Sequence, residues 1–81
     1  MVIYTDEFAK AKLEMMPPQI KVIAQNKNGD VIVSRIEKLI KNNSNDGWWT
    51  EAFGDCYIDV IFRAIESPEG WENSVITRED L

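Results

Sequence analysis

Few residues in this 81-residue chain could do chemistry. It contains no histidine and one cysteine, Cys56. Ser–His and Cys–His nucleophile pairs, zinc sites that contain histidine and thiolate zinc clusters are therefore excluded within one chain. A carboxylate mechanism built on Asp55 and Asp59 remains, but a chain this short seldom encloses the concave site that it needs. We predict no catalytic residue, no cofactor and a protein that is not an enzyme.

Residues 42–47 resemble part of a calcium-binding loop. The matches to positions 1, 3, 5 and 6 of such a loop are Asn42, Ser44, Asp46 and Gly47. Position 1 lacks its aspartate, and position 12, which requires a bidentate glutamate, is Phe53. The segment is therefore predicted to be a polar surface loop, and no metal site is predicted.

Length and composition indicate one small globular domain over residues 1–81. The hydrophobic content is 44%, which is ordinary for a folded protein. No apolar run approaches the ~20 residues that span a bilayer, and the first residues do not show the basic stretch and apolar core of a secretory leader, so we expect none. A single cysteine allows no internal disulfide. We therefore expect a cytoplasmic protein with no membrane partner.

The net charge of −5 is unevenly distributed along the chain. Residues 1–42 carry seven bases and five acids, a net charge of +2, whereas residues 43–81 carry two bases and nine acids, a net charge of −7. An acidic surface attracts basic partners and repels nucleic acid. The two halves either neutralise each other as solvated surface, or the acidic half meets a basic protein.

An aromatic-rich segment, residues 48–65, holds two of the three tryptophans and two of the three phenylalanines. Adjacent strand residues point to opposite faces, so only one of Trp48 and Trp49 can enter the core. An exposed tryptophan beside carboxylates is typical of a binding hot spot. The predicted partner-binding residues are Trp48, Trp49, Glu51, Asp55, Asp59, Glu66, Glu69, Trp71 and Glu72.

Local signals predict one helix and several strands. Thr5 is a suitable N-cap for a helix over residues 5–16, and Pro17 and Pro18 end it. Asn28-Gly29 is the preferred pair of a type I′ hairpin turn. The predicted strands are Gln19–Asn26, a run that begins with Val31–Val33, Trp48–Phe53 and Trp71–Thr77, followed by a polar tail at residues 78–81.

Two segments stay open between strand and helix. In residues 34–42, Ser34 and Glu37 form a capping-box pair that favours a helix. In residues 56–66, β-branched and aromatic residues favour a strand. That strand's apolar face would be Ile58, Val60, Phe62 and Ala64. As a helix, the same segment would carry a polar stripe of Asp59, Arg63 and Glu66.

The predicted fold class is α+β, with the N-terminal helix packed on an antiparallel sheet of about five strands. The turn-rich second half and the segment Ser74–Leu81 resemble the last strand of SH3-like barrels in general shape, which implies that the sheet curls into a small barrel. The alternative is a more helical fold, with helices at residues 34–42 and 56–66.

These features favour a non-enzymatic interaction protein that binds and regulates or inhibits a protein with a basic surface, such as a nucleic-acid-binding one. Length and charge would suit an accessory protein of a phage or mobile element. One alternative is a structural protein that self-associates into a homo-oligomer through residues 48–65. Another is a nucleic-acid-binding module, which would use the basic first half with Tyr4 or Phe8 for stacking, but the acidic half opposes direct nucleic-acid binding.

Overall fold

The computed structural model describes residues 2–35, 39–41, 49–51, 58–68 and 70–81. Within these ranges the chain forms one α-helix, six short strands and two 3₁₀ turns. They are α1 (Asp6–Met15), β1 (Val22–Gln25), β2 (Val31–Ser34), β3 (Leu39–Lys41), β4 (Trp49–Glu51), β5 (Ile58–Phe62), the first 3₁₀ turn (Trp71–Asn73), β6 (Ile76–Thr77) and the second 3₁₀ turn (Arg78–Asp80). The α+β class is confirmed.

Helix α1 begins and ends where its local signals predict. The Thr5 hydroxyl accepts a hydrogen bond from the Phe8 amide at 3.1 Å, which completes the N-cap. Met16 leaves the helix in an extended conformation, as expected for a residue that precedes proline. Ala9 and Leu13 are fully buried on the side that faces the sheet. Residues four positions apart lie on the same side of a helix, so Ala9 and Leu13 form one buried side.

The turn between β1 and β2 differs from the type I′ prediction. The Asn26 amide donates to the Asp30 carbonyl at 2.8 Å, which leaves a three-residue loop rather than a two-residue one. Gly29 has a φ of 97°, whereas Asn28 does not have the positive φ that a type I′ turn requires. In this type of loop a glycine in the left-handed region ends the turn. Only position 29 therefore requires a positive φ, whereas a type I′ turn would require it at both Asn28 and Gly29.

Four strands form an antiparallel sheet in the order β5-β2-β1-β6, and α1 packs on one face of it. No pairing among the described residues joins the edge strands β5 and β6, so this sheet is open and is not an SH3-like barrel. Strands β3 and β4 form a separate two-stranded sheet. The alternative helix at residues 34–42 is therefore wrong, because Ser34 ends β2 and residues 39–41 are β3.

Strand β5 confirms the strand interpretation over Ile58–Phe62 and excludes the helix there, but its apolar face is not the predicted one. Residues 56 and 57 lie outside the described part of the chain. Ile61 is an extra residue: Ile32 pairs with Val60, whereas Val31 pairs with Phe62. The bulge breaks the alternation, so that Ile61 and Phe62 both pack against the helix-side core. Val60 is left 41% exposed.

The four-stranded sheet is buried on both faces at its centre. On the helix side, Ile23 and Val33 join Leu13 in one core cluster. On the other side, Val22, Ala24 and Ile32 are fully buried as well. A strand that is covered on both faces has no solvent-facing side, so its residues need not alternate between apolar and polar. Apolar Ile23 therefore lies between Val22 and Ala24, which point to the other face.

The C-terminal segment, predicted as a strand followed by a polar tail, is tied into the fold by short turns. Residues 71–73 form a 3₁₀ turn, and only Ile76 and Thr77 pair with β1. The Arg78 guanidinium donates to the carbonyls of Ile20 at 2.6 Å, Pro17 at 2.8 Å and Met16 at 3.1 Å. These carbonyls include the end of α1, where a cation is favoured by the helix dipole. Arg78 thus joins the helix to the sheet.

Candidate protein-interaction site

Trp49 and Trp71, both predicted as partner-binding residues, lie against each other. Their ring centroids are 5.5 Å apart, and the rings meet edge to face at 69°. The Trp49 indole N–H donates to the Gln25 carbonyl at 2.9 Å, and its backbone amide donates to Asn26 Oδ1 at 2.9 Å. Both rings are half-buried. Its two hydrogen bonds give Trp49 a structural role, and we take Trp71 as the candidate contact.

A polar network centred on Ser74 positions Trp71. The Ser74 hydroxyl donates to the Trp71 carbonyl at 2.6 Å and accepts from the Gln25 amide at 2.8 Å. The Tyr4 hydroxyl donates to the Ser74 carbonyl. Tyr4 is 2% exposed, so its ring has no free face for stacking on a base. The network instead ties the first 3₁₀ turn to β1 and to the start of the chain.

Tyr4 gives this network a predicted pH dependence. Burial, and secondarily the Asp6 carboxylate, raise the pKa of Tyr4 well above its usual value of about 10. Above pH 10 the Tyr4 hydroxyl is ionised in the unfolded chain but stays neutral in the folded chain. We therefore expect the free energy of unfolding to fall by up to ~1.4 kcal/mol for each further pH unit. Denaturant unfolding of the wild type and Tyr4→Phe between pH 8 and about 11.5 would measure this. The substitution should flatten the decline, and equal slopes would contradict the prediction.

Trp71 also lines a cleft of about 310 Å³, which we call the Trp71 cleft. Its walls are residues 25–29, at the β1–β2 turn, and residues 64–67, 70 and 71. Glu66, a predicted partner-binding residue, lies in the second wall and is exposed. The structure therefore brings an aromatic residue and an acidic residue to one concave surface.

Gln25 joins the two walls of the Trp71 cleft. Its side-chain Nε2 donates to the Gly29 carbonyl at 3.0 Å and also to the Ile65 carbonyl. The Ile65 amide donates in turn to the Gly29 carbonyl at 2.7 Å. Gln25 is 1% exposed, and its other side-chain atom, Oε1, is buried without a hydrogen-bond partner. The nitrogen side of the amide is occupied, whereas the oxygen side has unused acceptor capacity.

Glycine at position 29 permits this close approach. A Cβ atom there would lie 2.9 Å from the Ala64 Cα atom. Ala64 itself has a φ of 53°, in the left-handed region, and its amide donates to Asp30 Oδ1 at 3.1 Å. Asp30 also pairs with the Arg63 guanidinium at 3.4 Å. The two walls are therefore held by backbone contacts as well as by Gln25.

The remaining predicted residues are not all part of this surface. Glu72 is exposed and follows Trp71 in the first 3₁₀ turn. Asp59 is exposed on β5 and does not line the cleft. Trp48, Asp55, Glu69 and the side chain of Glu51 lie outside the described part of the chain.

Sequence reasoning missed three residues of the site, namely Gln25, Gly29 and Ser74. The Asn28-Gly29 pair marked the position of the turn but not its contact with Ala64. No local pattern distinguishes Gln25 or Ser74 from surface polar residues. Their role comes from partners 40 and 49 residues away in the sequence.

A second cleft, of about 320 Å³, lies at the start of α1, and none of the predicted partner-binding residues that the structure describes lines it. Among the residues that the structure describes, no group of three or more acidic or cysteine side chains is placed to hold a metal ion. No helix in that part of the chain is long and apolar enough to cross a membrane. No protein-family model, curated protein or solved structure matches the sequence or the fold.

Proposed function

We propose that this is a non-enzymatic interaction protein of the cytoplasm that binds a protein with a basic surface and inhibits it by covering that surface. The observation that supports the proposal is the Trp71 cleft, which is lined by a half-buried tryptophan and by the exposed residue Glu66. Tryptophan is enriched in binding hot spots, where its large ring supplies contact area at little cost in conformational entropy.

The charge distribution supports a basic partner. Glu66 and Glu72 flank Trp71 in the sequence, and both are exposed. They lie in the half of the chain whose net charge is −7. Carboxylates around an aromatic contact steer a basic partner toward it and oppose an acidic one. Length and charge also suit an accessory protein of a phage or mobile element, which would act on a host protein.

Two matched double variants test the proposal. One variant combines Glu66→Lys with Glu72→Lys, and the other combines Glu14→Lys with Glu79→Lys. Each variant changes the net charge from −5 to −1, and all four glutamates are exposed. Only the first pair lies beside Trp71. Each tagged protein would be used to capture partners from a native cell lysate, with washes at low and high salt and identification by mass spectrometry.

We expect the wild type and the Glu14/Glu79 variant to retain the same basic protein. The Glu66/Glu72 variant and Trp71→Ala should bind the purified partner at least about 10-fold more weakly. Equal loss of binding in both double variants would mean that only net charge matters, and the proposed surface would be wrong. A concentration-dependent mass on a sizing column, with no hetero-partner, would instead favour self-association.

A further inference from the structure

We propose that the Trp71 cleft receives an arginine side chain of the partner protein. This inference rests on the proposed function and specifies the chemical group that is recognised. A basic surface offers lysine ammonium groups and arginine guanidinium groups, which differ in shape, hydration and hydrogen-bonding geometry. The residues of the cleft distinguish between these two.

An aromatic residue and an acidic residue together favour arginine. Trp71, which is half-buried, and Glu66, which is exposed, both line the cleft. A planar guanidinium stacks on an indole face while its edge donates two parallel hydrogen bonds to a carboxylate. An ammonium group acts as a compact point charge and cannot make both contacts in this way.

Gln25, the most deeply buried residue that lines the cleft, has an acceptor without a partner. Its Nε2 atom is committed to the carbonyls of Gly29 and Ile65, whereas Oε1 has no partner. A buried acceptor without a hydrogen bond is costly, so a donor that reaches it gains more there than at a solvated acceptor. Because Oε1 is itself buried, the Gln25 side chain must shift to meet such a donor. A guanidinium has five N–H donors and can serve Oε1 as well as a carboxylate.

Lys27 supplies an internal check, because it also lines the cleft and is exposed. Its positive charge opposes a cationic ligand at this position and gives no benefit to a neutral one. Lys27→Ala should therefore strengthen arginine binding. This effect has the opposite sign to what general damage to the fold would produce.

The test is an NMR titration of the purified 81-residue protein with N-acetyl-arginine methylamide. The lysine and citrulline analogues serve as comparisons, because citrulline has nearly the shape of arginine without its charge. We expect the Trp71 indole N–H and the Glu66 amide to shift together, with a dissociation constant on the order of millimolar for so small a ligand. The lysine analogue should bind at least about 5-fold more weakly, and citrulline should not saturate the site.

Variants locate the binding. Trp71→Ala should weaken arginine binding about 5- to 10-fold and Glu66→Gln about 2- to 5-fold. Lys27→Ala should strengthen it about 2-fold, and Glu14→Gln should leave it unchanged. Thermal melts would confirm that each variant is folded. Equal affinity for the arginine and lysine analogues, or shifts located away from Trp71 and Glu66, would overturn the inference.

The two proposals can fail separately. If the wild type captures a basic partner and the arginine analogue leaves Trp71 unshifted, the arginine inference is wrong and the proposed function stands. If the analogue binds as expected and no basic partner is retained, the proposed function is wrong and the assignment of the cleft stands.

Discussion

Gly29→Ala is expected to lower the free energy of unfolding by about 3 kcal/mol. Two effects add at this position. The φ of 97° lies in a region that L-residues rarely adopt, and the new Cβ would approach the Ala64 Cα atom to 2.9 Å. The obstacle is backbone, which cannot rotate away as a side chain could. Denaturant unfolding followed by tryptophan fluorescence would measure the loss.

Gly29→Asn separates the two effects. Asparagine tolerates positive φ better than alanine does, but it carries the same Cβ atom. We therefore expect Gly29→Asn to lose nearly as much stability as Gly29→Ala. If asparagine instead restored stability to within about 0.5 kcal/mol of the wild type, strain in φ alone would explain the requirement for glycine, and the close approach to Ala64 would be unimportant.

Arg78→Ala is expected to cost about 3 kcal/mol, because it removes three hydrogen bonds from a charged donor. The three carbonyl acceptors belong to Met16, Pro17 and Ile20, between the end of α1 and the start of β1. Arg78 is half-buried, so water does not replace all of these bonds freely. The measurement is again denaturant unfolding.

Arg63→Ala is the matched control for the loss of a guanidinium. The Arg63 side chain is 78% exposed, and its guanidinium pairs with Asp30 at 3.4 Å. Exposed pairs of this kind contribute about 0–1 kcal/mol, so this variant should remain close to the wild type. Arg78→Lys should recover only part of the loss, because an ammonium cannot reproduce the planar fork. Similar losses for Arg63→Ala and Arg78→Ala would contradict the structural role of Arg78.

Helix α1 and the position of the β1–β2 turn could be predicted because their signals are local. Thr5 needs only the Phe8 amide three residues away to cap the helix. The turn needs only a residue that tolerates positive φ, which Gly29 supplies. The α+β class followed from this helix together with the predicted strands.

Strand β5 shows where local signals end. Residues 56–66 carry the patterns of both a strand and a helix, and pairing with β2 decides in favour of a strand. The bulge at Ile61 then turns Phe62 toward the helix, where its ring lies 5.6 Å from that of Phe8. The alternation of apolar and polar residues along the sequence could not predict this bulge, because an extra residue is defined only relative to the partner strand.

The candidate site divides in the same way. Residue type and charge were enough to single out Trp71 and Glu66, since exposed tryptophans and carboxylates are typical of binding surfaces. That the two line one cleft, while Asp59 lies elsewhere, depends on how the β1–β2 turn meets residues 64–67. Gln25 makes that meeting possible from 40 residues away.

The sequence alone therefore determined the helix and its caps, the place of the first turn, the acidic second half and the absence of histidine chemistry. These properties depend on residue type or on neighbours within one turn of chain. The tertiary structure alone decided that the main sheet stays open, that Arg78 joins the helix to the sheet and that Trp71 and Glu66 share a cleft. These features depend on hydrogen bonds and packing between distant segments, and such contacts exist only once the chain has folded.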